Sequence, residues 1–510
     1  MEASNSIFRL IKSLTVNERR YFKLYTSTYK GKKENIYTSL FKAIDKQKTV
    51  YDEDKLKRKN KGASFIKNLS LQKNRLYNLI MESLGSYYAE NSIKGILRKQ
   101  ITQAEILFTK GMFEEHKKLI LKAKKIALQR EEYLYLLEII NLESRLILTG
   151  QSAENIKEKG DEEQRVTETI SEYYHYKNLH YLVFGLASDP TIRDIKHIDR
   201  VNNFLNNTLL ANSPKSDSVL TKILYYRSCG ICYIILNDQE KSYEYLKKQE
   251  VLFNDPVVVE TYFPSYITFL QNKIIWEANN KKYKDEFETL TKFKSLLDHK
   301  SIANRLDSKV RIYFDYHAFL IKLFQELGEF NKGAALIESM QKEIETSKEL
   351  VSKILWPEIC IHCANIFFGI NNFKKAFYFL REIIDKSESG YRNNLACYAR
   401  ILSLIFNYKL ENHDLLPYQI ASTYRFLKKR NSVFKYELCL IHFLRKETPH
   451  IYSRHDSIIA FKKLKQQVED ICKDPLEAKA LEYFDILSWL KSEIENRPFA
   501  EVVKEKANNK

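Results

Sequence analysis

The chain has 510 residues, with 83 Lys and Arg against 65 Asp and Glu, yet only 13 Gly and 9 Pro, the first proline being Pro190. So few helix breakers argue for an all-α protein and leave little material for a glycine-rich phosphate loop, while seven scattered cysteines exclude a disulfide framework and fit a reducing compartment. Charge is lopsided: residues 1–130 hold 29 basic and 12 acidic residues, a net of +17 out of +18, whereas the other 54 basic and 53 acidic residues balance, so a basic end suited to a polyanion precedes a neutral body.

From Met1 to Leu14, Glu2, Arg9 and Lys12 interrupt the apolar run that a signal peptide needs, and no later run approaches the ~18 apolar residues of a membrane span, so the expectation is a cytoplasmic chain. Thr15, Val16, Asn17 and Glu18 form a capping-box pattern and predict a helix from Val16 to Tyr29. A turn follows at Lys30–Lys33 around Gly31, then a helix from about Glu34 to Lys46 with Ile36, Leu40 and Ile44 at fourfold spacing. Beyond the polar segment Tyr51–Gly62, a helix from Ala63 to about Ala89 sets Phe65, Leu69, Leu76, Ile80 and Leu84 toward one side, with Lys67, Lys73 and Arg75 elsewhere. Residues 1–91 thus read as a basic N-terminal helical subdomain, 92–450 as helical repeats, and 451–510 as C-terminal capping helices and a polar tail.

Within the repeats an apolar helix, a short turn and a second amphipathic helix recur. The second helices are expected near Gln239, Tyr283, Phe330 and Phe373, spaced by 44, 47 and 43 residues, and a period of about 45 residues is a helical-repeat signal. Gly111 and Phe113 mark a similar turn earlier, and Asn412–Pro417 opens another later.

Around Leu327, Gly328, Glu329, Phe330, Asn331, Lys332, Gly333 and Ala334, a turn glycine precedes an aromatic and then a small residue. Asn371, Asn372, Phe373, Lys374, Lys375 and Ala376 repeat the arrangement, with Ala364 in the preceding helix and Leu380 at the following packing position. This pattern resembles the tetratricopeptide-repeat superfamily. The resemblance implies an α-solenoid of antiparallel helix pairs, covering roughly residues 100–450, whose concave groove binds a protein or peptide segment. Its framework residues are Gly111, Phe113, Gly328, Phe330, Ala334, Ala364, Phe373, Ala376 and Leu380. The units are about ten residues longer than the usual repeat, and Glu286 stands where a small residue belongs.

Two CxxC sequences, Cys229–Cys232 and Cys360–Cys363, invite a metal reading, with His362 as the one extra ligand nearby in sequence. A structural zinc needs four converging ligands. The pairs lie about three repeat units apart, so packing in the core is the expectation. Glu114 with Glu115, and Asp161 with Glu162 and Glu163, read as solvated faces. Walker, HExxH, G-x-S-x-G and dinucleotide motifs are missing from the sequence, and no catalytic, cofactor or metal site is expected.

The remaining candidate is the basic end. Lys55, Lys57, Arg58, Lys59 and Lys61 form the densest run, joined by Arg19, Arg20, Lys32 and Lys33 as candidate polyanion contacts, while Tyr21, Phe22 and Tyr25 are expected to pack inside. Such residues serve solubility, an acidic protein partner or nucleic-acid phosphates. The leading expectation is a noncatalytic interaction scaffold without cofactor or membrane contact, and the alternative is a nucleic-acid-associated regulator.

Overall fold

A computed structural model describes residues 2–28, 36–47, 51–152, 155–188, 195–206, 208–302, 306–347, 351, 355–385, 393–412, 414–428, 434–474, 477 and 483–508. The described chain is all-helical, without a strand, and none of its helices is long and apolar enough to cross a membrane. It forms two compact units, residues 1–175 with 216–220 and residues 176–215 with 221–510. The sequence boundaries at 91/92 and 450/451 fall inside these units.

Unit 1 opens with α1 (Glu2–Ser13), α2 (Val16–Thr28), α3 (Ile36–Asp45), α4 (Glu53–Lys59) and, after a 3-10 turn at Ser64–Ile66, α5 (Leu69–Asn91). The capping box forms: Glu18 N donates to Thr15 Oγ1 at 3.2 Å and Thr15 N to Glu18 Oε2 at 2.7 Å, satisfying two backbone donors at the start of α2. Two readings are corrected. The polar segment Tyr51–Gly62 contains α4, whose N-terminus Asp52 caps by accepting from Lys55 N at 2.8 Å. The long helix starts at Leu69 instead of Ala63, because the 3-10 turn inserts Phe65 into the core built from Ile7, Ile11, Phe22, Leu40, Ile44, Leu56, Leu76 and Ile80. The Lys30–Lys33 turn, with Lys32 and Lys33, lies outside the described residues.

Three further helices continue unit 1: α6 (Ile93–Thr109), α7 (Phe113–Gln129) and α8 (Tyr133–Leu148), followed by α9 (Ile156–Ser188). Left-handed residues Gly111, Glu131 and Gly150 end α6, α7 and α8. At each, the next N–H reaches back to the last turn, as in Met112 N to Leu107 O at 2.9 Å, so the final carbonyls are satisfied in a Schellman turn. Glu131 takes this conformation without glycine's freedom, and its carboxylate accepts from Val219 N at 2.9 Å and Leu220 N at 3.3 Å.

The helices of the second unit continue as α10 (Ile195–Leu205), α11 (Thr208–Ala211), α12 (Val219–Ile235), α13 (Gln239–Phe253), α14 (Pro256–Thr261), α15 (Phe263–Asn279), α16 (Tyr283–Ser295), α17 (Leu306–Glu326), α18 (Phe330–Ser339), α19 (Gln341–Ser347), α20 (Leu355–Gly369), α21 (Phe373–Ile384), α22 (Asn393–Lys409) and α23 (Leu416–Lys428). Neighbours in sequence pack as pairs, notably α15 with α16, α17 with α18, α20 with α21 and α22 with α23. The second helices begin at Gln239, Tyr283, Phe330 and Phe373, the starts that the sequence pattern predicts. Asn237, Lys281, Gly328, Asn371 and Glu411 are all left-handed, and each turn carries the same closing bond, such as Asn372 N to Phe367 O at 2.8 Å. The element that recurs is therefore a backbone geometry, not a residue type.

The chain closes with α24 (Lys435–His442), α25 (Arg454–Ile471), α26 (Ile486–Glu495) and α27 (Phe499–Asn508). The expected polar tail is corrected to a packed helix: Val502 and Val503 of α27 are buried, and α27 packs on α17 and α26. One core runs from Phe314 through Phe367, Phe406 and Phe461 to Trp489 and Val503.

Candidate functional site

The structure separates the candidate polyanion contacts. Arg19 is committed to internal partners: it donates to Leu14 O at 2.9 Å and Ile11 O at 2.6 Å and pairs with Asp45 at 2.7 Å, which ties α1, α2 and α3 together. Lys73 is buried and bonds Glu53 at 2.5 Å, and Lys57 pairs with the same carboxylate at 2.9 Å. The hydrogen bonds from Lys73 and Lys57 hold Glu53 well below the usual carboxylate range, at about 2. Arg20, Lys55, Arg58, Lys59 and Lys61 remain exposed. Glu18, beside Arg20, accepts from Tyr88 near the end of α5 at 2.6 Å, whereas α4 joins α5 at Lys73, so the two basic groups stand about 22 Å apart along α5 at 1.5 Å per residue. The cluster that forms is Lys55–Lys61, on α4 and the turn after it.

In unit 2 the framework residues pack as corners between helices. Ala364, Ala376 and Leu380 are fully buried, Phe330 and Ala334 nearly so, and Phe373 meets Phe368 edge-on at 5.7 Å. In unit 1, Phe113 meets Phe108 in the same way at 5.4 Å across the Gly111 turn. Space is tightest elsewhere: a Cβ on Gly333 would lie 2.5 Å from Ile366 Cδ1, and one on Gly369 would overlap the Phe330 ring.

The C-terminal segment returns to the first helices of the last three pairs. The Tyr483 carbonyl accepts from Asn365 Nδ2 of α20 at 2.5 Å and from Gln325 Nε2 of α17 at 3.4 Å. Tyr483 also stacks obliquely on Tyr398 of α22 at 4.7 Å. Phe484 and Phe499 meet Phe368 edge-on, each at 5.4 Å, and Phe499 lies 5.5 Å from Phe330. Asp485 accepts from Ser488 Oγ at 2.6 Å and from Lys506 Nζ at 2.7 Å, which fixes α26 to α27. A cavity of about 270 Å³ remains between this segment and α17, lined by Tyr283, Lys322, Glu326, Asn365 and Phe499 among others.

Asn365 is 1% exposed. Its Nδ2 faces two acceptors, Tyr483 O and Gln325 Oε1, which sets the amide's orientation, and its Oδ1 has no partner among the described residues. It grips the carbonyl half of a peptide group and leaves its own acceptor open. His362 donates through Nδ1 to Gln325 Oε1 at 3.0 Å, and burial, aided by the Lys322 charge, lowers it to about 3, so it is a neutral core imidazole. Nearby, burial raises three carboxyls: Glu277, Glu326 and above all Glu286, pushed up to about 8 with the Glu326 charge adding to burial. Glu277 accepts from Thr289 Oγ1 at 3.1 Å, while its Oε2 and that of Glu286 lack partners among the described residues.

The two CxxC pairs are buried thiols. Burial raises Cys229 to about 11 and Cys232 to about 12, and raises Cys363 further, which favours neutral, unreactive sulfur. The described residues contain no group of three His, Cys, Asp or Glu spaced to hold a metal ion. Cys439 and Cys472 are partly exposed, and the five others are buried. A thiol reagent is therefore expected to label those two at least about tenfold faster than the rest in the native chain, with mass spectrometry reading the order; early labelling of Cys229 or Cys363 would contradict the packing role.

Sequence reasoning missed Asn365, Gln325 and Tyr483 because nothing local connects residues 118 positions apart. No protein-family model, curated protein or solved structure matches the chain.

Proposed function

We propose that the chain is a noncatalytic cytoplasmic scaffold whose helix pairs stack as a TPR-like solenoid and bind a protein segment along their first helices. The observation that carries this reading is the chain's own segment on α17, α20 and α22. A backbone carbonyl held by two side-chain amides, flanked by phenylalanines in aromatic corners, is the chemistry of peptide recognition: hydrogen bonds fix the main chain and pockets take alternate side chains. The Asn365 acceptor left open beside the cavity favours a second peptide group there. The first helices α12 and α15 lie outside the span that the segment contacts, and on this reading a separate partner binds there.

Amine cross-linking of the full chain with a purified partner tests this. Cross-links should concentrate on Lys222 of α12 and Lys273 of α15. Cross-links confined to Lys247, Lys248 and Lys292, on the second helices, would overturn the reading.

A second reading, a nucleic-acid-associated regulator, draws on the exposed Lys55, Arg58, Lys59 and Lys61. If phosphates bind there, replacing Lys55, Lys59 and Lys61 together by glutamate should weaken duplex binding and remove about three units from the slope of log affinity against log salt. An unchanged slope would remove this reading.

A further inference from the structure

Arg227 lies in α12, the first of the helices offered to a partner. Its Nη2 donates to Ser265 O at 3.3 Å, and among the described residues its buried Nε has no partner and no carboxylate lies within ion-pairing distance. Burial alone lowers its pKa, to about 10, and no acidic group opposes the shift. The residue nonetheless keeps part of its surface in solvent.

Two ways of resolving a buried charge are seen elsewhere among the described residues. Lys73 has Glu53, and Lys124 has Glu143 at 2.7 Å and Glu162 at 2.9 Å. Glu286 escapes by holding its proton, since burial raises it to about 8. Arginine has no such escape, because it stays protonated through the whole physiological range. An unpaired, partly buried guanidinium costs stability, and here the internal return is one long hydrogen bond to Ser265 O, the pattern of a residue kept for function.

Its surroundings agree. His180 of α9 holds Ser228 Oγ through Nδ1 at 3.2 Å, and burial, helped by the Arg227 charge, lowers it to about 4, so it is neutral and adds no competing cation. One turn further along α9, Phe184 is exposed beside His180, at a ring distance of 6.5 Å.

We propose that Arg227 is the anchor for an oxyanion, a carboxylate or a phosphoryl group, carried by the protein segment that binds α12 and α15. This rests on the partner-segment reading and adds the chemistry that fixes the segment's register. The anion meets the terminal nitrogens of the guanidinium, because Nε faces inward, and Phe184 supplies apolar contact beside it.

The test uses the full chain near neutral pH at constant ionic strength, set with sodium chloride, sodium phosphate or sodium acetate. Unfolding is followed by tryptophan fluorescence, since Trp276, Trp356 and Trp489 all lie in unit 2. Roughly 50 mM phosphate or acetate should raise the wild-type midpoint by about 2 °C over chloride. A rise with acetate as well as phosphate assigns a carboxylate ligand, and a rise with phosphate alone assigns a phosphoryl group. R227Q should lose the rise while unfolding at no lower temperature than wild type in chloride, and R227K should keep only part of it. The proposal is overturned if neither anion exceeds chloride, or if R227Q or R227K responds as wild type does. A protein segment that still cross-links to Lys222 and Lys273 in R227Q with undiminished affinity would sink the anchor and leave the partner-segment reading standing.

Discussion

Replacing Gly328 by alanine is expected to destabilise unit 2 by about 3 kcal/mol or more, whereas the same change at Gly111 should cost only about 1 kcal/mol. Both glycines are left-handed, at φ +70° and +74°, so both variants incur the same backbone strain. They differ in what the new methyl group meets. At Gly111 nothing lies within 4 Å, but at Gly328 the Cβ would stand 2.7 Å from Lys504 N and 3.0 Å from Ala500 O and Lys504 Cα. These are backbone atoms of α27, which cannot rotate aside, so the helix must lift from α17. Lifting it strains the Phe330–Phe499 contact and the burial of Val503. Urea denaturation followed by tryptophan fluorescence reads the loss at Gly328, and far-ultraviolet circular dichroism reads Gly111. Equal costs at the two positions would show that α27 does not bear on the Gly328 turn.

That glycine shows where sequence reading reached and where it stopped. Gly328 and Phe330 were legible as a turn and a corner, because conformational freedom and an aromatic bulge are local requirements. Starts of the second helices were legible for the same reason, since amphipathic periodicity resumes after each turn. The close approach of α27 was not, because it pairs residues 172 and 176 positions away with the turn, and nothing near Lys504 announces it. The turn at Glu131 was hard to see for a related reason: a Schellman turn is enforced by the packing of the helices it joins, and a residue other than glycine then accepts the left-handed strain. On the basic end, composition located the charge, but only the structure distinguishes Arg19 and Lys73, tied to carboxylates and carbonyls, from Lys55, Lys59 and Lys61, which face water. Arg227 had no signal at all, because an arginine in an apolar helix reads the same whether its partner is inside the chain or on another molecule.

Glu286 is expected to make unit 2 less stable as pH rises from about 5 to 8, opposite in sign to the buried neutral His180 and His362, whose lowered pKa values favour folding as pH rises through about 6.5. Glu286 is 1% exposed, its Oε2 has no partner among the described residues, and its pKa is pushed up to about 8 by burial and the Glu326 charge, with Lys322 opposing. In the unfolded chain a glutamate titrates near 4.3. The folded state therefore binds this proton more tightly than the unfolded state. Its contribution is fully present below the unfolded value and is lost as pH climbs through the folded one. Integrated over that window, the loss is on the order of 4 kcal/mol at about 1.4 kcal/mol per unit. Glu277 and Glu326, also raised by burial, act in the same direction. The repeat offers the natural control, since the small residues Gly333 and Ala376 occupy buried positions three residues into their second helices, as Glu286 does in α16. E286A restores the repeat's small residue and removes the ionisable group. Relative to wild type it should gain stability between pH 5 and 8, the histidine contribution being common to both, and at pH 8 it should equal or exceed wild type despite the volume lost. A difference in stability between wild type and E286A that stays constant over this interval would show that Glu286 is solvated and already ionised in the folded chain.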